Sequence, residues 1–429
     1  MRRVLAALLA CLLLLAACGE AATPEGPPGA DQVPEVPPED DRDPGGWTGI
    51  DPQLVGSLSA DEAAEVAAAA NAFGFDLHRE VAEPAGNTVT SPLSASVLLA
   101  MVAAGAGGEA ADAMTEVLRL DGPRDVRFAA LLADLVDSGD VTLTVANALW
   151  ADEGTPFEQD YLDHAQDTFG ATLEEAPLGE QATADAIDDW VTDHTEGLIE
   201  AIAEDLGLPN PRSVLVLINA VYFLGEWTER FDPEDTREAP FTLADGSAVE
   251  VPTMHRSDDG LELEVSHQAD HTLVRLPYGD DERFGMEILL PQEDVALDEL
   301  LAGLDVATWQ ASVDDLASQR VGTLTLPRFE LEWDAELNDA LAALGMGPAF
   351  DGSADFTPMS PANPWLGTVV QKTYLRVDEA GTEAAAVTGG DMPTSAPPDM
   401  RIDRPFAFTV SDRETGAILF LGTVHDPRG

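Results

Sequence analysis

The chain has 429 residues, 45% of them apolar, and 80 acidic residues face 21 basic ones for a formal net charge of −59. That is enough apolar material for a large core, while a field so negative repels nucleic acid, heparin and anionic lipid, none of which is an expected partner. Both cysteines, Cys11 and Cys18, lie in the first 18 residues, which leaves the remainder without a disulfide, a thiol nucleophile or a thiolate metal site.

Residues 1–17 read as a signal peptide. Arg2 and Arg3 form a basic start, and the uncharged run from Val4 to Ala17 is shorter than the ~20 residues of a membrane span. It ends in Leu15-Ala16-Ala17-Cys18-Gly19, which resembles the bacterial lipobox. The resemblance implies that Cys18 carries a lipid at the start of the mature chain. That lipid would anchor the protein to a cell membrane on its extracytoplasmic side. Residues 18–57 read as a tether, with Pro27-Pro28, Pro37-Pro38, many acids and Arg42 as the one base. Such a stretch buries too little apolar surface to fold, and like charges with prolines keep it extended.

A single folded domain is expected over 58–429, because no second composition break interrupts alternating helical and strand patterns. Ser59-Ala60-Asp61-Glu62 fits a capping box, followed by an apolar face through Val66, Ala69, Phe73 and Leu77. A second helix is expected at Ser91-Pro92, with Ser91 as its side-chain cap and proline in its first turn. Val141–Leu149 alternates as a strand does. Ala184–Ile202 has helical spacing interrupted at Gly197, and Val214–Phe223 is apolar enough for a strand buried on both faces. Strands dominate from Phe241, with one helix near Ala335–Leu344 and final strands at Phe406–Val410 and Ile418–Gly422. Helices first and strands later imply an α+β fold.

Enzyme signatures are missing from this pattern. None of the seven histidines stands in an HExxH pattern, and no GxSxG elbow occurs. Gly105-Ala106-Gly107-Gly108 lacks the Lys-Ser/Thr of a phosphate loop, and His255 and His271 read as ordinary surface or strand residues. No metal and no cofactor is expected, nor catalysis by this chain.

A resemblance carries the reading further. Asn87-Thr88-Val89-Thr90-Ser91-Pro92-Leu93-Ser94, Asn219-Ala220-Val221-Tyr222-Phe223-Leu224-Gly225-Glu226-Trp227 and Leu326-Pro327-Arg328-Phe329 stand in serpin order. Asp378-Glu379-Ala380-Gly381-Thr382-Glu383-Ala384-Ala385-Ala386 and Arg404-Pro405-Phe406 follow. Residues 58–427 thus resemble a serpin, which implies a monomer of three β-sheets and about nine helices with an exposed reactive-centre loop. It also implies suicide inhibition of serine proteases: the loop is cleaved as bait and inserts as a new strand in the main sheet. Glu379, Gly381, Thr382, Glu383, Ala384, Ala385 and Ala386 would form the hinge. Ser91, Ser94, Asn219, Trp227 and Gln371 would surround the place where the sheet opens.

The loop itself is fit to insert. With Thr382 inward, the inward set continues Ala384, Ala386, Thr388, Gly390, Met392 and Thr394, none charged, while Glu383 and Asp391 point outward. No proline precedes Pro393, so the backbone donors from Gly381 to Met392 are free to join a ladder. Counting forward from the hinge places the reactive bond at Ser395-Ala396; counting back from Pro397-Pro398 places it at Thr394-Ser395. Both put a small residue in the protease pocket, and no base lies between Gly381 and Met400, so elastase-like or subtilisin-like targets are expected. A heparin-accelerated serpin carries a basic helix where Glu109–Leu120 has Glu109, Asp112 and Glu116 against Arg119. In the family a histidine often faces the residue matching Asn219; Gln371 stands there, with an amide that can still donate to Asn219 but no titratable proton. The alternative is a serpin-fold binding protein at the cell surface that traps no protease.

Overall fold

The computed structural model describes residues 50, 52–136, 141–257, 260–379 and 397–429. A short α1 (Pro52–Val55) precedes α2 (Ala60–Val81), β1 (Thr88–Thr90), α3 (Pro92–Ala103), α4 (Gly108–Leu118) and α5 (Arg127–Val136). Then come β2 (Val141–Asp152), α6 (Gln159–Phe169), β3 (Thr172–Ala176), α7 (Gln181–His194) and β4 (Leu215–Gly225). The second half holds β5 (Arg237–Thr242), β6 (Ala248–Arg256), β7 (Glu262–His267), β8 (His271–Tyr278), β9 (Phe284–Pro291), α8 (Leu297–Gly303) and α9 (Val306–Asp314). It continues with β10 (Ala317–Arg320), β11 (Leu324–Pro327), β12 (Phe329–Glu336), α10 (Asn338–Leu341) and α11 (Gly347–Phe350). The chain ends with β13 (Val370–Val377), β14 (Met400–Arg401), β15 (Phe406–Asp412) and β16 (Ile418–Val424).

Helix α2 is laid down by local chemistry. Ser59 Oγ accepts from the Glu62 amide, and the Ser59 amide donates back to Glu62 Oε2 at 2.9 Å, the reciprocal box the sequence predicts. Besides the expected face it carries a second buried stripe, Ala67, Ala70, Asn71, Gly74 and His78. The stripe exists because α3 crosses close by: a Cβ on Gly74 would meet Pro92 Cβ at 2.3 Å, so only glycine lets the helices approach. Asn71 then ties α2 to the last hairpin, donating to Gly416 O at 2.7 Å and accepting from the Ile418 amide at 2.9 Å.

Three sheets result, with strand orders β12-β13-β4-β2-β3, β1-β16-β15-β9-β8-β7-β10 and β14-β11-β6-β5. Among the described residues, eight α-helices of seven residues or more, the short α1, a 3-10 turn at Pro233–Asp235 and one broken stretch over 338–350 make up the helical part. The main core lies between α2–α6 and the inner faces of the sheets. A second apolar cluster lies under α7, where Ile187, Val191, Ile199 and Ile202 cover Ala148, Val216 and Ile218. The third joins α8 and α9 to Leu273, Leu289 and Leu421. The α+β, three-sheet fold expected from the sequence is the observed one.

Several boundaries differ from expectation. The tether does not run free to residue 57, because Ile50 and Val55 are buried in the main core and their apolar side chains outweigh the local polar composition. The helix expected to reach Ile202 stops at His194; Thr195 leaves helical backbone and Gly197 takes φ +80°. The helix expected from Ala335 starts at Asn338 instead, because strict alternation of Glu330, Glu332, Asp334 and Glu336 with apolar residues carries β12 through Glu336. That stretch breaks at Gly345, whose φ of +119° suits glycine alone. Helices α8 and α9 were not expected, being too short to show a helical period.

Candidate functional site

The expected site residues fall into two groups. Cys18, Gly381, Thr382, Glu383, Ala384, Ala385, Ala386, Thr394, Ser395 and Ala396 lie outside the described residues. Ser91, Ser94, Asn219, Trp227, Gln371 and Glu379 are described, all but Glu379 at most 8% exposed and Glu379 at 9%. They gather around one line in the five-stranded sheet, the seam between β4 and β13.

The seam is the weakly paired line of that sheet. Strands β2 and β4 pair antiparallel from Val141↔Gly225 to Ala151↔Leu215, and β12 and β13 from Phe329↔Val377 to Glu336↔Val370. Strands β13 and β4 run parallel and share the single register pair Thr373↔Val221. Parallel pairing is the weaker kind. A strand entering here would run antiparallel to both neighbours, and the sheet would widen by one strand spacing of about 4.8 Å.

Each side of the seam is tied to the β1–α3 corner by its own hydrogen bonds. On the β4 side Ser94 Oγ donates to Asn219 Oδ1, Asn219 Nδ2 donates to Asn147 Oδ1 at 2.8 Å, and Asn147 Nδ2 to Phe169 O at 2.9 Å. On the β13 side Gln371 Oε1 accepts from the Ser91 amide at 3.1 Å and Gln371 Nε2 donates to Ser91 O at 3.0 Å. Thr373 Oγ1 adds a bond to Val89 O at 2.6 Å. Gln371 makes no described bond to Asn219; its amide faces the Ser91 backbone, accepting at Oε1 and donating one N–H from Nε2. Ser91 is the N-cap residue of α3, yet its side chain makes no capping bond; Pro92 at the first turn removes one donor, and Gln371 holds the backbone instead. No described hydrogen bond joins Asn219 to Gln371, so what separation of the two halves must break between them is the short backbone pairing at Thr373↔Val221.

At the far end of β13 the chain is gripped just before it leaves the described residues. Trp227 Nε1 donates to Asp378 O at 2.9 Å, and the indole stacks on Tyr278 with centroids 4.3 Å apart. Thr236 Oγ1 donates to Glu379 Oε1 at 2.5 Å, Arg328 Nε stands 3.5 Å from Glu379 Oε2, and Arg376 pairs with Asp378 at 2.9 Å. Burial first, then the charges of Glu287 and Asp378, hold the Tyr278 hydroxyl well above its ordinary pKa, so it stays neutral under the stack.

One residue beside this site was missed in the sequence. His78 is buried, with Nδ1 3.2 Å from Thr90 Oγ1, and Thr90 Oγ1 donates to Leu421 O at 3.2 Å. Its Nε2 has no partner among the described residues. Its place in the Ala67–Gly74–His78 stripe was the available signal. Burial, with Arg79 assisting, lowers its pKa from 6.5 to about 4, so the folded state holds it neutral. The unfolded chain binds that proton first as pH falls, so stability is full above pH 6.5 and is lost as pH drops towards 4. The loss from this group is on the order of 3 kcal/mol. In chemical denaturation the unfolding midpoint of the wild type should fall more steeply over this window than that of His78→Gln; equal slopes would refute it.

His271 has a more specific setting than a plain strand position. Its Nδ1 is 2.8 Å from Asp270 Oδ1 and its Nε2 is 3.0 Å from Ser312 Oγ. Those are the spacings of a hydrolytic triad. Both His271 and Ser312 are 2% exposed, and the Ser312 hydroxyl bonds Thr308 O on its own helix. A substrate cannot reach that oxygen, so the set fastens α9 to the sheet.

The comparisons with known proteins agree with this geometry. A family model described as Serpin (serine protease inhibitor) matches residues 68–427. The "Leukocyte elastase inhibitor" of Sus scrofa is 34% identical over 385 residues, 85% of this chain and 100% of that one. "Serpin-Z10" of Arabidopsis thaliana is 32% identical, covering 80% of this chain and 92% of its own length. The crystal structure of native protease nexin-1 with heparin superposes with a TM-score of 0.76 at 26% identity, over 85% of this chain and all of that one.

Proposed function

This chain belongs to the serpin family, and from that premise we propose that it is a suicide inhibitor of serine proteases. The observation that carries the reading is the seam: β4 and β13 meet at one register pair, and β13 leads straight into a bait segment whose inward residues are uncharged. A protease serine attacks the bait carbonyl, the peptide nitrogen departs with a proton, and an ester joins enzyme to loop. The freed strand then enters the seam, and the attached protease is carried off before water cleaves the ester.

Target choice follows from the bait. Small residues at Thr394, Ser395 and Ala396 with no nearby base suit elastase-like or subtilisin-like pockets, and the pig relative's name points the same way. Mixing the purified protein with a panel of serine proteases tests this. The expected result is a complex that survives boiling in detergent with elastase-like or subtilisin-like enzymes, with mass spectrometry placing cleavage at Thr394-Ser395 in preference to Ser395-Ala396. Complexes with trypsin alone would break the assignment, and cleavage without any complex would favour a serpin-fold binding protein. Heparin is not a cofactor in this reading: α4 is acidic, and its Arg119 stands 3.7 Å from Asp76.

The protein acts as a monomer held outside the cell by a lipid on Cys18, with residues 1–17 removed. The lipobox-like sequence before Cys18 supports this. Cys18→Ser should move the protein from the membrane to the soluble fraction; an unchanged distribution would defeat the anchor.

A further inference from the structure

A groove of about 450 Å3 opens at the foot of the seam. Below Thr373↔Val221 the β13-facing edge of β4 has no register partner among the described residues. The space between Leu215 and Leu217 on that edge and the 356–368 segment is floored by Phe356 and Met359. Two features of its rim bear on what it would hold. Trp365 is 62% exposed, the most exposed large apolar side chain among the described residues. Arg212 also lines the groove, and its guanidinium is in no described ion pair. In a chain with 80 acids to 21 bases, where carboxylates are abundant, a guanidinium left beside an apolar slot is a specific place for an incoming anion.

We propose that this groove binds an amphipathic monocarboxylate, with its carboxylate on Arg212 and its apolar body laid between Trp365 and the Leu215–Leu217 edge. The volume lies in the range of small-molecule sites, and an apolar lining with one oriented charge is their usual composition. Selection is by charge sign: the molecule as a whole repels anions, so an anion that binds does so through Arg212. Occupancy also has a consequence that rests on the proposed inhibitory function. A strand entering between β4 and β13 would pass through this groove, so bound ligand and inserted strand exclude each other.

Calorimetry of the full chain with sodium decanoate, below its micellar concentration and in about 1 M sodium chloride to screen the net charge, tests the site. The expected result is a single site with a dissociation constant on the order of tens of micromolar. It should weaken at least tenfold in Arg212→Gln and in Trp365→Ser, two surface changes that leave the core intact. Decyltrimethylammonium, with the same chain and opposite charge, should not compete. Absence of decanoate binding, equal binding to both variants, or competition by the cation would each overturn the site. The chain cleaved in its loop should lose decanoate binding. Retained binding there, with Arg212 still required, leaves the site standing and overturns strand insertion.

Discussion

Thr382→Arg should convert the protein from an inhibitor into a substrate. An incoming strand presents alternate residues to the inner side of the sheet. At the upper seam that side is lined by Val221, Phe223, Leu375 and Val377, all at most 9% exposed. Threonine and the alanines that follow it suit such a lining. An arginine there must either bury an unpaired charge, at a cost of several kcal/mol, or hold the strand outside. A barrier raised by about 4 kcal/mol slows insertion about a thousandfold, while ester hydrolysis by the bound protease keeps its own rate. The expected gel therefore shows complete cleavage and no detergent-stable complex, with a stoichiometry of inhibition at least tenfold above wild type. Thr382→Ser, small and uncharged, should keep the complex. An undiminished yield of complex from Thr382→Arg would mean that the strand enters in another register or not at all.

How much of this was legible in the sequence depends on the range of the interaction. The capping box at Ser59–Glu62 is a contact across one turn, and it reads directly. Val214–Phe223 reads as a doubly buried strand because its apolar run has no polar face to offer solvent, and the structure places it as β4 inside a five-stranded sheet. The order of serpin motifs brought Asn219, Ser94 and Gln371 to one region. What it could not supply was which partner each polar atom takes. Gln371 and Ser91 are 280 positions apart, and whether the amide turns to Asn219 or to the Ser91 backbone depends on packing that no local pattern records. His78 escaped notice for a similar reason. A histidine on a helix reads as a surface residue until Gly74 brings α3 close enough to cover it. The tether's end was misplaced because composition averages over a window, whereas Ile50 and Val55 are two single residues whose burial decides the boundary.

Removing the positive partner of Glu287 should destabilise the fold by about 3–5 kcal/mol. Glu287 is wholly buried in β9. Arg275 lies directly opposite on β8, with Nε 2.7 Å from Glu287 Oε1, and Thr409 lies opposite on β15, with Oγ1 2.6 Å from Oε2. Ser411 Oγ lies 2.9 Å from the same oxygen. The row continues to Glu264 on β7, 3.4 Å from Arg275 Nη1, so one arginine serves two carboxylates across three strands. Three side chains satisfy the buried carboxylate, and the two hydroxyls alone do not neutralise its charge. Arg275→Met keeps an unbranched apolar stem but removes the guanidinium, leaving the Glu287 carboxylate without a cation in a dry sheet. Breaking a buried pair in this way costs about 3–5 kcal/mol, a large share of the roughly 5–15 kcal/mol that holds a domain folded. The guanidinium unfolding midpoint should fall accordingly. Adding Glu287→Gln should recover much of the loss, because a neutral amide still accepts from Thr409 and Ser411 and no longer needs the arginine. A cost below about 1 kcal/mol for Arg275→Met, or a double variant that merely adds the two losses, would show that the pair behaves as an exposed one and that the sheet is held by its apolar rows alone.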